Sequence, residues 1–278
     1  MSLARKRAAL AGRLEPLGSA LVAFSGGVDS AVLLRAALDD VRGRVLAATA
    51  VSPLHPLSAK AVAIGRRLGA EVREVAFDPL DDARFCANPP ERCYLCKRGM
   101  LAALAALARE EGLEAVLEGS VTDDLWEHRP GRRAVAELGA RSPLVEAGLS
   151  KADVRALARS FDLEVAARPS EPCLATRVPY GRPLGADLLE RIARAEAAVR
   201  DRVGGGPVRV RAHGRVARIE VAPDRIERLV APDARRELQR EIRALGFAYV
   251  AADLAGYRSG ALDEVLDEAD RRAAAEEE

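Results

Sequence analysis

The apolar positions of the chain gather into short continuous runs, separated by stretches with helical spacing. Ala20-Leu-Val-Ala-Phe24 is one such run and 45–51 another, and strands are also expected at 71–77 and 115–118. Between them, 57–69 and 97–111 place apolar residues three and four apart, and a helical pattern follows the first run through Leu38. Strands apolar along their whole length are buried on both faces. Their alternation with helices predicts an α/β fold with a doubly wound, mainly parallel, Rossmann-like sheet. Ligands on such sheets bind beyond the carboxyl ends of the strands, which makes Ser25–Ser30, Ser52-Pro53 and Gly119–Asp124 the candidate site loops.

The pattern changes further along. A helix is expected over 151–162, and 164–184 is a long loop rich in Pro and Gly, of a length usually tied to function. A helix over 187–202, a break at Gly204-Gly-Gly-Pro207, an alternating hairpin over 208–221, a helix over 233–245 and a strand over 247–252 make a smaller α+β domain. The expected division is therefore 1–184 and 185–278, the second part ending in a solvated acidic tail at Glu276–Glu278.

Composition narrows the function. The chain has 278 residues, 49% of them hydrophobic, with 43 basic and 42 acidic side chains, which is enough chain for an enzyme. The near balance of charge argues against coarse binding to DNA or to an anionic membrane. No apolar run approaches the roughly 20 residues of a membrane span. The basic amino end is interrupted by Arg13, Glu15 and Pro16 before it resembles a signal peptide, so a soluble cytoplasmic protein is expected. Only Lys6, Lys60, Lys97 and Lys151 among the 43 cations are lysines, so any single Arg carries little information. Four cysteines, Cys86, Cys93, Cys96 and Cys173, are too few for a disulfide scaffold and point to metal binding or sulfur chemistry.

Ser25-Gly26-Gly27-Val28-Asp29-Ser30 sits between a strand and a helix. Two glycines permit close backbone approach, hydroxyls flank them, and the helix amino end favours an anion such as pyrophosphate. The loop has neither the Walker nor the dinucleotide-binding spacing. The alternative is a tight turn with Asp29 or Ser30 as a helix cap. The hexapeptide resembles the pyrophosphatase loop of enzymes that cleave ATP to AMP and pyrophosphate, and Glu118-Gly-Ser-Val-Thr-Asp-Asp124 resembles that family's second acidic loop. The resemblance implies ATP on Ser25, Gly26, Gly27, Asp29, Ser30 and Ser52. It also implies Mg²⁺, for which Asp29, Asp123 and Asp124 are candidate oxygen ligands. The plain reading of Asp123-Asp124 is a solvated turn or cap.

A Cys93-Tyr-Leu-Cys96 pair is compatible with a zinc half-site, a redox dithiol or buried sulfur. Its surroundings, Asn88-Pro-Pro-Glu-Arg-Cys-Tyr-Leu-Cys-Lys97, and the segment Pro169-Ser-Glu-Pro-Cys-Leu-Ala-Thr-Arg-Val-Pro-Tyr-Gly181 resemble the LarE-type sulfur-insertion enzymes of nickel-pincer cofactor synthesis. That resemblance implies that ATP adenylylates a carboxylate of pyridinium-3,5-biscarboxylic acid mononucleotide and that sulfur then forms a thiocarboxylate. In the family's single-cysteine form the counterpart of Cys173 surrenders its own sulfur. Here Cys93 and Cys96 accompany it, matching a three-cysteine form with a [4Fe-4S] cluster whose open iron carries sulfide from a donor. Structural burial is the expectation for Cys86.

On the hairpin, Arg209 and Arg211 share one strand face, as do Arg218 and Glu220 on the partner strand. A solvated polar face is the default. Similarity to LarE-type substrate strands assigns Arg209, Arg211 and Glu220 to the mononucleotide, with Arg177 either holding phosphate or anchoring its loop. His213 reads as a turn residue, and Trp126 with His128 as local packing. The family implies a homo-oligomer. A tRNA thiolase and a nucleotide-binding regulatory protein are the competing readings; the first calls for a broad basic surface, against which the near-zero net charge counts, and the second gives no reason for three thiols.

Overall fold

The computed structural model describes residues 2–52, 54, 58–125, 131–167, 173–258 and 261. Pro53, Trp126, His128, the 168–172 segment and the acidic tail lie outside the described residues. The chain divides into two compact units, one from Met1–Pro79 and Glu91–Ser170, the other from Leu80–Pro90 and Glu171–Arg271. The second unit therefore starts ahead of residue 185 and also takes the segment that precedes the cysteine pair.

Up to the cysteine pair the order is α1 (Leu3–Leu14), β1 (Ala20–Ala23), α2 (Val28–Asp40), β2 (Val45–Val51), α3 (Ser58–Arg67), β3 (Glu71–Ala76) and α4 (Ala83–Cys86). Then come α5 (Arg92–Glu110), β4 (Ala115–Leu117), α6 (Gly131–Glu137), α7 (Pro143–Glu146) and α8 (Lys151–Ser160). All of these except α4 belong to the first unit. Its four strands are parallel in the order β3-β2-β1-β4. Alternate residues of β1 serve opposite faces: Ala20 and Val22 join a core with Leu10, Leu14 and Leu33, while Leu21 joins Leu46, Leu101 and Leu104. This is why the run has no polar alternation.

Two sequence expectations are corrected here. The 71–77 run is an edge strand with Glu71 and Arg73 exposed, because an edge is covered on fewer sides than a central strand. Helix α5 begins at Arg92, immediately after Pro89-Pro90-Glu91, so Cys93 and Cys96 stand on its first turns rather than ahead of it. Among the described residues no helix is long and apolar enough to cross a membrane.

In the second unit α9 (Ala186–Val203), β5 (Val208–His213), β6 (Val216–Val221), α10 (Ile226–Val230), α11 (Pro232–Ala244) and β7 (Tyr249–Ala252) surround a sheet of order β5-β6-β7. The β5–β6 pair is antiparallel, pairs His213 with Val216 and turns at Gly214, whose φ is +61°. Val208, Val210, Ile219 and Val221 line one face of it, all buried.

Candidate functional site

The chain runs from β1 to β2 and β3 on one side, then returns to add β4 on the other side of β1. The switch point therefore lies beyond the carboxyl ends of β1 and β4, where Ser25–Ser30 and 118–124 follow their strands. Gly26 takes φ +74°, and a Cβ there would come within 2.8 Å of the Ala61 Cβ on α3. The loop thus needs glycine both for its backbone and for close approach to a helix. Gly27 is the N-cap of α2 and offers no side-chain acceptor, which leaves the helix amides available to an anion. The hydroxyls of Ser25 and Ser30 lie 3.1 Å apart; Ser25 accepts from Gly27 N at 3.3 Å, and Ser30 donates to Gly27 O at 3.1 Å.

Asp29 pairs through Oδ2 with the ammonium of Lys151, the first residue of α8. The backbone amide of that same lysine donates to Asp123 Oδ2 at 2.8 Å. Lys151 thus brings Asp29 and Asp123 into one neighbourhood. Among the described residues Asp29 Oδ1 is buried without a hydrogen-bond partner, the kind of acceptor a hard cation satisfies. Mg²⁺ typically takes one or two carboxylates and completes its shell with phosphate and water, so this pair fits its chemistry. Asp124 is buried and its Oδ2 accepts from Val121 N at 2.9 Å, capping its own turn. Ser52, buried at the end of β2, accepts from Leu54 N at 3.2 Å.

Beside the loop, Glu118 is 5% exposed and is held by Lys97 Nζ at 2.7 Å, Ser120 Oγ at 2.8 Å and the Ser142 hydroxyl. Burial opposes its ionised form, yet the charge and hydrogen bond of Lys97, then Ser142 and Ser120, prevail and hold the carboxyl below its ordinary range. Sequence reasoning missed Lys97 and Lys151 as site residues. The signal was available: in a chain that uses arginine for nearly every cation, two of its four lysines pair with acids at these loops.

Cys93 is exposed and Cys96 half-buried. Between them Tyr94 donates its hydroxyl to Glu137 Oε2 at 2.8 Å and carries the Arg133 guanidinium 3.6 Å above its ring, fixing α5 against α6. Among the described residues no three His, Cys, Asp or Glu side chains are grouped to hold a metal. Cys93 and Cys96 belong to the first unit and Cys173 to the second, and none of them is in a disulfide; thiolate is the donor chemistry an iron–sulfur cluster takes. The Cys86 thiol donates to Leu80 O at 3.1 Å.

Within the second unit, Cys173 opens the turn Leu174–Arg177. Its carbonyl accepts from Thr176 Oγ1 at 2.8 Å and from Arg177 Nη1 at 3.2 Å. Arg177 also forks onto Glu196, Nε to Oε1 at 2.7 Å and Nη2 to Oε2 at 3.2 Å. Arg177 is thereby tied both to its own loop and to α9.

The hairpin face is not solvated: Arg209 and Arg211 are each 6% exposed and Glu220 is 1% exposed, which corrects the default drawn from alternation. Arg211 clamps Glu220 through two bonds and donates to Thr176 O at 2.9 Å. Arg218 reaches Glu220 Oε1 at 3.0 Å. Arg209 donates to Val208 O and lies 5.0 Å over the Tyr257 ring, with no carboxylate bonded to it among the described residues. Burial, then the neighbouring Arg177 charge, pushes its pKa down. That makes Arg209 the cation in this cluster whose charge is least compensated. His213 is exposed at the hairpin turn.

A parallel sheet with Ser-Gly-Gly-Val-Asp-Ser at its switch point defines the Rossmann-like PP-loop fold class. The chain belongs to the LarE family, that of the pyridinium-3,5-bisthiocarboxylic acid mononucleotide synthases. It is 38% identical over 271 residues to the synthase of that name from Lactiplantibacillus plantarum, across 96% of this chain and 97% of that protein. An uncharacterized protein of Synechocystis is 39% identical over 252 residues, covering 90% of this chain and 94% of its own length. Another, from Methanocaldococcus jannaschii, is 28% identical over 240 residues, covering 86% and 90%. No family model matches the chain.

Proposed function

We propose that this protein is an ATP-dependent sulfurtransferase that converts a carboxylate of pyridinium-3,5-biscarboxylic acid mononucleotide to a thiocarboxylate in nickel-pincer cofactor synthesis. The observation that carries the reading is the loop at the switch point, with its free helix amides and with Asp29 and Asp123 beside it, in a chain of this family. A substrate carboxylate oxygen attacks the α-phosphorus of ATP, the bond to the bridging oxygen breaks, and pyrophosphate leaves in the Gly26-Gly27 turn, on the amides that open α2. Ser25, Ser30 and Ser52 shape the nucleotide site, and Asp29 with Asp123 would hold Mg²⁺, which neutralises the departing charge. Sulfide then attacks the acyl carbon, forming the carbon–sulfur bond as AMP departs.

Arg177, Arg209, Arg211 and Glu220 form the substrate-binding set: Arg209 contacts the mononucleotide phosphate, Arg211 and Glu220 build the buried strand face beside it, and Arg177 anchors the loop that carries Cys173. Cys93, Cys96 and Cys173 would together hold a [4Fe-4S] cluster, whose fourth iron supplies a binding place for sulfide. Cytoplasmic copies of the chain associate; the exposed Val230, Tyr249 and Leu254 support such contacts.

ATP–pyrophosphate exchange tests the substrate. Stimulation by the pyridinium mononucleotide supports the reading, stimulation by tRNA replaces it with a tRNA thiolase, and no exchange with either overturns it. Intact mass after turnover tests the sulfur route. Loss of the elements of hydrogen sulfide at Cys173, with full activity in Cys93→Ser/Cys96→Ser, would establish a sacrificial cysteine instead of a cluster. A visible chromophore in anaerobic protein that disappears on Ser substitution at any of the three supports the cluster.

A further inference from the structure

Lys151 stands where a lysine is electrostatically out of place. It is the first residue of α8, behind the N-cap Ser150, so its ammonium lies near the positive end of the helix dipole. Its side chain nonetheless turns to Asp29 Oδ2, while its amide holds Asp123 Oδ2 at 2.8 Å. Both members of the ion pair retain solvent access, the lysine at 35% and the aspartate at 27%. The other carboxylate oxygen, Asp29 Oδ1, is buried and has no hydrogen-bond partner among the described residues. The pair therefore leaves Asp29 with one oxygen on the lysine and the other open to a cation. A cation that must leave is served by a single, partly solvent-accessible bond to one oxygen.

We propose that Lys151 is a displaceable counter-ion of the glycine loop. Without nucleotide it neutralises Asp29 and so weakens binding of a bare divalent cation. When a polyphosphate arrives with its metal, Lys151 gives up Asp29 and transfers its ammonium to phosphate oxygens. Metal and nucleotide are thereby admitted together. This inference rests on the reading of Ser25–Ser30 as a pyrophosphate loop.

The test is calorimetric titration of the full chain, as wild type, Lys151→Gln and Lys151→Arg, with Mn²⁺ alone and then with Mg²⁺-pyrophosphate. Loss of the ammonium should tighten Mn²⁺ alone by about fivefold, the scale of one partly exposed ion pair. It should also weaken Mg²⁺-pyrophosphate by about tenfold or more, the scale of a charge-assisted phosphate contact. Lys151→Arg keeps the charge and should leave the Mn²⁺ affinity at the wild-type value. Removing a cation from a helix amino end does not threaten folding, and an unchanged melting temperature verifies this. Opposite shifts in Lys151→Gln support the counter-ion. Parallel weakening of both ligands shows a structural residue and overturns it, as does no change in either or a change in only one. If wild-type protein binds neither Mg²⁺-ATP nor Mg²⁺-pyrophosphate, the pyrophosphate-loop reading itself has failed. If wild type binds both and the variant titrates identically, only the role of Lys151 falls.

Discussion

Asn88 donates its side-chain amide to the carbonyl oxygen of Pro179 at 2.8 Å, from a left-handed backbone conformation and without exposed surface. The same amide reaches Arg182 O at 3.0 Å, and Gly181 N donates back to Asn88 O at 2.9 Å. Leu184 N adds a bond to Cys86 O at 2.8 Å. One residue thus rivets the segment that leads toward Cys93 onto the loop that follows Cys173, and this gives the Asn-Pro-Pro motif a physical role. Asn88→Gly keeps the backbone conformation and removes the rivet, at an expected cost of about 2–3 kcal/mol. Asn88→Asp replaces the donor by a buried acceptor and should cost more. Denaturant unfolding of the two variants checks the order.

The two loop glycines should respond differently. Gly27 has φ −76°, and a Cβ there meets only Ser25 Oγ at 3.4 Å, so Gly27→Val is expected to weaken ATP by about tenfold or more with the melting temperature preserved. Gly26→Val must displace the backbone of Ala61, 2.9 Å away, and should lose about 1–3 kcal/mol of stability as well as binding. Calorimetry with ATP, beside thermal unfolding, separates the effects.

Arg209 and Arg211 are neighbours on one face with different duties. Arg209→Ala should weaken the mononucleotide by about tenfold or more, leaving ATP affinity and stability unchanged, because no buried carboxylate loses a partner. Arg211→Ala strips two bonds from Glu220, which is 1% exposed, and should destabilise the fold by about 3 kcal/mol. Ligand titrations and urea midpoints distinguish them.

The Lys97–Glu118 pair predicts a pH signature. The folded-state carboxyl lies below its ordinary value, so the stability it contributes is complete above the unfolded pKa, about 4.3, and is lost as pH falls through the folded value. In Lys97→Met the burial of Glu118 no longer has an opposing charge, and its folded pKa should rise above the unfolded one. The stability gap between the two proteins, about 2–3 kcal/mol near neutrality, should therefore begin to narrow at the variant's raised carboxyl pKa, above about 4.3, and close only once pH has fallen through the lowered wild-type value. Urea unfolding from about pH 3 to about pH 7 measures it.

The sequence by itself determined the sheet and the loop. Continuous apolar runs at 20–24 and 45–51 require burial on both faces, and a glycine pair between a strand and a helix has few other uses. Both are local properties, carried by residues adjacent in the chain. It was silent where meaning depends on a distant partner. The alternation Val-Arg-Val-Arg is identical for a wet face and a buried one, and only the packing of Tyr257, Thr176 and Glu220 around that face decided that Arg209 and Arg211 are buried. Similarly, nothing near Lys151 indicates Asp29, which lies 122 positions earlier, because a charge takes its role from whichever opposite charge the fold places beside it.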